Sequence, residues 1–169
     1  METQPSPLAR AQVRQKWRTA RPDLDTSSLE VVGRLKHAHA LLALALEPTY
    51  EGSELTPSEA DVLVFLRYLE EPVIARRLAQ WMGLSRAAVS KMLAKLESRG
   101  LIERRANPAD QRSALVTISQ GGVAAIDTTF PRHLDREAQA LAGLGPDRER
   151  VVEALELLVT ALERSVPNA

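Results

Sequence analysis

The chain has 169 residues, room for one domain or a small domain with helical extensions, and its 44% hydrophobic and 26% charged content is that of an ordinary globular protein. Aromatics make up only 4%, so the core must be built from Leu, Val and Ala, which suits helices; with no Cys, disulfides, thiol redox chemistry and Cys-ligated zinc are excluded. Net charge is zero, the opening METQPSPLARAQ lacks an apolar signal core, and no apolar run approaches the roughly 20 residues of a membrane span, so a cytoplasmic protein is expected.

A short helix is expected from Leu8 to about Arg21, where Pro22 disfavours helix at the residue before it. DLDTSS then offers N-cap residues for LEVVGRLKHAHALLALALE, whose Leu29, Val32, Leu35, Leu42 and Leu46 recur at a helical period up to Pro48. In LTPSEADVLVFLRYL, Thr56 and Glu59 have capping-box spacing and Pro57 sits at the first helical position. VIARRLAQWMG reads as a short helix closed by Gly83, with Trp81 and Met82 most simply core. Ser85 caps RAAVSKMLAKLESR, which stops at Gly100. Strands are expected at Leu101–Arg105 and Ala114–Ile118, and Ser119 begins another helical stretch. Its two early glycines and Pro131 predict a weak start and a kink or break near Phe130. A last amphipathic helix carries Val151, Leu155, Leu158 and Leu162 on one stripe. The fold expected is mainly α with one small β-hairpin.

Charge is unevenly spread. Between Val73 and Arg112 stand nine cations (Arg76, Arg77, Arg86, Lys91, Lys95, Arg99, Arg104, Arg105, Arg112) and three acids (Glu97, Glu103, Asp110), so this segment is +6 and the remainder −6. A basic segment in a neutral protein is the footprint of a polyanion on one face, or else a solvated charged face. The motif inside it favours the first reading. In RRLAQWMGLSRAAVSKMLAKL, Ala79 is small enough for two helices to cross, Gly83 supplies the turn, and Val89 plugs the angle between them: the spacing of a helix-turn-helix. The second helix of that motif lies in the DNA major groove, its N-terminal end nearest the bases. Here that end offers Ser85, Arg86, Ala87, Ser90 and Lys91, with Lys95 a turn further on for phosphate, while Val89, Met92 and Leu96 face inward.

A hairpin directly after such a helix is a wing. At its tip, in RRANPADQR, Arg112 is placed to enter a minor groove, and Asp110, two residues away, to orient its guanidinium. Alternatively Asn107, Pro108 and Asp110 serve turn geometry only. No Gly-rich phosphate loop or Ser-His-acid set points to an enzyme. His37 and His39 fall on different sides of a helix and cannot chelate together, and neither they nor His133 suggest a metal or other cofactor.

From about Asp25 onward the sequence resembles the MarR family of transcriptional regulators, most specifically in LTPSEADVL, LSRAAVSKMLAKLESRGLIERR, the wing NPADQR and TISQGG. The wing keeps the family's Asp-x-Arg, with Gln111 where Arg is more usual. The resemblance implies a homodimer on a pseudo-palindromic double-stranded operator. It divides the chain into N-terminal helices (1–54), a winged helix-turn-helix (55–119) and C-terminal dimerisation helices (120–169). KWRTARPDLDTSSLEVVGRL further resembles the start of the urate-responsive HucR/MftR/PecS subgroup, which has an added N-terminal helix. That likeness implies a ligand site at Trp17, Asp61 and Arg104, with Met92 standing where a second Arg belongs. A less charged aromatic effector than urate would tolerate Met92 better. Each residue also has a plainer role: Trp17 in packing, Asp61 at a helix dipole, Arg104 on phosphate. The function implied is a ligand-released repressor; the alternative is a winged-helix module that binds protein instead of DNA.

Overall fold

In the computed structural model, residues 7–69, 71–110 and 112–166 are described. Among these residues, seven α-helices and three strands follow in the order α1 (Pro7–Ala20), α2 (Ser28–Leu46), α3 (Pro57–Tyr68), β1 (Val73–Ile74), α4 (Ala75–Met82), α5 (Arg86–Ser98), β2 (Ile102–Ala106), β3 (Ala114–Ile118), α6 (Gln120–Ala140) and α7 (Arg148–Glu163). Short 3-10 turns occupy Glu47–Thr49 and Ala142–Asp147. Two compact units result, residues 1–45 and 46–169. None of the helices among the described residues is long and apolar enough to cross a membrane.

Among the described residues, the largest fully buried side chains lie in the second unit: Val62 and Leu63 of α3, Leu78 of α4, Val89, Leu93 and Leu96 of α5, Val116 of β3 and Ile126 of α6. This Leu/Val core ties the helix pair to the sheet behind it. By contrast α2 and α7 have no buried residue, although both carry rows of Leu and Val.

The helix starts follow from local bonding. Thr56 Oγ1 accepts from Glu59 N at 3.4 Å while Glu59 Oε2 accepts from Thr56 N at 2.9 Å, a complete capping box. Ser85 Oγ accepts from Ala88 N at 3.1 Å and Ser119 Oγ from Gly122 N at 3.0 Å. Gly122 is required by packing, because a Cβ there would lie 2.1 Å from the carbonyl oxygen of Leu101.

Two expectations are corrected. Val73 and Ile74, read as the start of a helix, form β1 and pair antiparallel with Val116 and Leu115, so the sheet has three strands in the order β1-β3-β2. Two residues are too few to show a period, and their backbone groups are claimed by a strand more than forty positions away. Second, α6 runs unbroken through Pro131. The proline is exposed, so the carbonyl it leaves without an N–H faces water, while Ile126 and Thr129 are buried and hold the helix in place.

Candidate nucleic-acid interface

The turn between α4 and α5 is built as its spacing suggests. Ala79 and Val89 are buried at the crossing, and Gly83 takes the left-handed conformation (φ 62°) that a side chain resists. Leu84 N donates to Ala79 O at 3.0 Å and closes the turn. Burying Val89, Leu93 and Leu96 forces the other face of α5 outward, so Arg86, Ala87, Ser90, Lys91 and Lys95 are all exposed. Arg86 and Ser90, and likewise Ala87, Lys91 and Lys95, are spaced by four and share that face. Ser85 is exposed too, but its oxygen is engaged as the helix cap, leaving the hydroxyl proton for an outside partner. Met92 is half-buried and packs on the core.

The C-terminal end of α5 is anchored by Arg99. Its Nη1 donates to Glu54 O at 2.7 Å, and its Nη2 lies 3.4 Å from the carboxylate of Glu59, which is 3% exposed. Arg99 is therefore a strut between α5 and the start of α3.

The wing is β2 and β3, paired from Ile102↔Ile118 to Ala106↔Ala114. Its tip bonds to itself. Asn107 Oδ1 accepts from Ala109 N at 3.0 Å, Asn107 Nδ2 donates to Ser113 Oγ at 2.9 Å, and Asp110 O accepts from Ser113 N at 3.0 Å. The carboxylate of Asp110 accepts the main-chain N–H of Arg112 at 3.0 Å. This differs from the expected side-chain pair: Asp110 sets the backbone at Arg112, and the guanidinium is exposed without an ion-pair partner among the described residues. Gln111 lies outside the described residues.

The residues expected to hold a ligand have separate surroundings. Trp17 is 50% exposed on α1, in the first compact unit. Asp61 and Arg104 belong to the second. Arg104 Nε lies 3.2 Å from Glu97 Oε2, within ion-pair range, yet its buried Nε and Nη2 make no hydrogen bond among the described residues. Asp61 has an open surface, yet displacement of water by the packed protein raises its pKa above the usual aspartate value. His133 pulls it down and Glu137 adds to the rise.

Those neighbours form a polar chain that the sequence did not reveal. Tyr50 Oη lies 3.0 Å from His133 Nδ1, and His133 Nε2 lies 3.1 Å from Glu137 Oε1. The ring of Phe130 stacks on the imidazole at 6.1 Å. Burial, with Asp61 and Glu137 adding to it, pushes the Tyr50 phenol up to about 12. The spacing of His133 and Glu137 was visible as a helical pair; their link to Tyr50 across 83 positions was not. Trp81 corrects another expectation. It is 41% exposed rather than core, and its ring stacks on Phe65.

A family model described as MarR family matches residues 53–113, the span from the approach to α3 through the wing tip. Among curated proteins, the chain is 26% identical over 143 residues to the HTH-type transcriptional regulator PecS of Dickeya dadantii, covering 83% of this chain and 86% of that one. Two solved structures share the fold. AbsC of Streptomyces coelicolor has a TM-score of 0.71 at 20% identity, over 83% of this chain and 97% of that one. BpsR of Bordetella bronchiseptica, whose DNA binding is regulated by 6-hydroxynicotinic acid, has a TM-score of 0.69 at 23% identity, over 78% and 98%.

Proposed function

We propose that the chain, which matches the MarR family model from before α3 through the wing tip and resembles PecS over most of its length, is a MarR-family winged-helix transcriptional regulator: a cytoplasmic homodimeric repressor, released from a pseudo-palindromic operator by a small aromatic or anionic ligand. The observation that carries the DNA reading is the division of α5. One face is sealed into the core and the other holds Arg86, Ser90, Lys91 and Lys95 open to solvent.

In this reading Ser85, Arg86, Ala87, Ser90 and Lys91 meet the major groove, and Lys95 meets phosphate. Arg112 enters the minor groove from a tip braced by Asp110, with Gln111 beside it. Two subunits set their α5 helices in successive major grooves, about 34–36 Å apart. Support for the dimer comes from α7, where Val151, Val152, Leu155, Val159 and Leu162 are exposed on a helix without any buried residue. Apolar rows of this kind are shielded when a second copy packs on them.

For the effector, support comes from Arg104, whose buried Nε and Nη2 make no hydrogen bond among the described residues and suit a carboxylate or other planar anion. The resemblance to the urate-responsive subgroup adds Asp61 and, by its sequence position alone, Trp17 as further proposed ligand residues. With Met92 directed to the core, no second guanidinium stands at its position, which favours an aromatic acid over urate.

The test is a titration of the purified protein with DNA from upstream of its own gene, at two salt concentrations, alone and with urate or 6-hydroxynicotinate. Salt-sensitive binding released by the nicotinate and indifferent to urate is expected. Release by urate would overturn the argument from Met92. Failure to bind any operator fragment would favour a protein-binding winged helix instead.

A further inference from the structure

The nine cations between Val73 and Arg112 divide by what they touch. Arg99 is held by Glu54 and Glu59, Arg104 lies on Glu97, and Arg105 on Glu103. Arg86, Lys91, Lys95 and Arg112 belong to the exposed helix face and the wing. Arg76 and Arg77 remain unassigned. Both are exposed in the first turn of α4, and neither has an ion-pair partner among the described residues.

Their position is unfavourable for a chain folding alone. The first turn of a helix attracts acids and repels cations, yet α4 has no acid there and no side-chain cap at Ile74. Arg77 is also restrained. Its guanidinium carbon lies 4.9 Å from the centre of the Trp81 ring, and that ring stacks on Phe65 with centroids 6.2 Å apart and planes 23° apart. Trp81 and Phe65 remain 41% and 40% exposed, so this ladder is kept at the surface. Arg76, Arg77, Gln80 and Trp81 border an open cleft of about 480 Å³. Stacking fixes the plane of a guanidinium while leaving its N–H fork free, and so lowers the entropy lost when it grips a phosphate.

We infer that Arg76 and Arg77 clamp a phosphodiester of the DNA backbone beside the groove entered by α5, with Trp81 and Phe65 as positioning residues for Arg77. The first helix of a helix-turn-helix crosses the backbone, which gives the clamp its occupant. The inference rests on the DNA-binding reading and adds a contact surface to it.

The test compares wild type, Arg77→Gln, Arg76→Gln, Trp81→Leu and the Arg77→Gln/Trp81→Leu double variant, with Arg112→Ala as control. Each is titrated over a salt series on the operator fragment and on unrelated duplex, after circular dichroism has verified folding. Each lost phosphate contact lowers the slope of log K against log salt by about 0.9, so roughly double that is expected per dimer for Arg77→Gln, equally on both DNAs. Trp81→Leu should weaken binding several-fold by itself and add nothing in the Arg77→Gln background, whereas a purely structural Trp81 would weaken both backgrounds alike. Wild-type salt slopes in both arginine variants, with Arg112→Ala still impaired, would overturn the clamp alone; this includes the case in which the cleft serves a protein or a free anion. Absence of DNA binding by wild type would overturn the clamp together with the reading beneath it.

Discussion

Arg112 and Asp110 show how the same two residues can divide one task. Asp110 is engaged by the main chain, which holds the tip in shape and leaves the guanidinium of Arg112 with no ion-pair partner among the described residues to give up on binding. Arg112→Ala should therefore abolish tight operator binding while dimer mass and melting temperature stay at parental values; an electrophoretic shift beside light scattering checks both. Asp61 has the opposite character. Its pKa is higher folded than unfolded, so it favours folding below the ordinary aspartate value and opposes it progressively as pH rises through the folded value. Asp61→Asn removes that opposition. The variant should melt higher than the parent at pH 7, and the difference should fade below roughly pH 4, where the parent is protonated too. Equal melting temperatures at pH 7 would sink the burial account of Asp61.

At the scale of the element, α5 has to be both stable and exposed, and Ser85 serves both ends. Ser85→Ala removes the cap bond to Ala88 N and is expected to cost about 1 kcal/mol in chemical denaturation. Ser85→Asp keeps a capping oxygen, so stability should return while DNA binding weakens further, because a carboxylate then faces phosphate. If Ser85→Asp binds as well as the parent, the N-terminal end of α5 is not at the DNA. The far end depends on Arg99, which joins α5 to the capping box of α3 through the nearly buried Glu59. Both ends of the helix are thus held by side chains that also start or brace a helix.

For the whole molecule, the proposed dimer accounts for what a single chain leaves exposed. α7 presents Leu155 and Leu162, two turns apart, both open to solvent, and α2 likewise buries none of its apolar residues. Leu155→Glu combined with Leu162→Glu should yield a monomer by size-exclusion chromatography with light scattering. Operator affinity should fall by orders of magnitude, since one winged helix then works without its twin. A double variant that stays dimeric would move the interface away from α7.

Much of this protein is decided by neighbours in the chain. The capping box of α3, the left-handed Gly83, the Ala79–Gly83–Val89 spacing and the hairpin between Arg104 and Arg112 each depend on residues a few positions apart, so the sequence alone determined a helix-turn-helix followed by a wing. Only the tertiary structure decided which charges are free. Arg99 and Arg76 look alike in the sequence, but the carboxylate of Glu59, forty positions away, neutralises Arg99 while the Glu54 carbonyl fixes it in place, and Arg76 is left open. The same holds for Trp81, exposed because Phe65 and Arg77 hold it at the surface, for β1, recruited by β3, and for His133, bridged to Tyr50. Local bonding can be read from spacing; pairing between distant segments is chosen by the fold, because only packing brings those groups within reach.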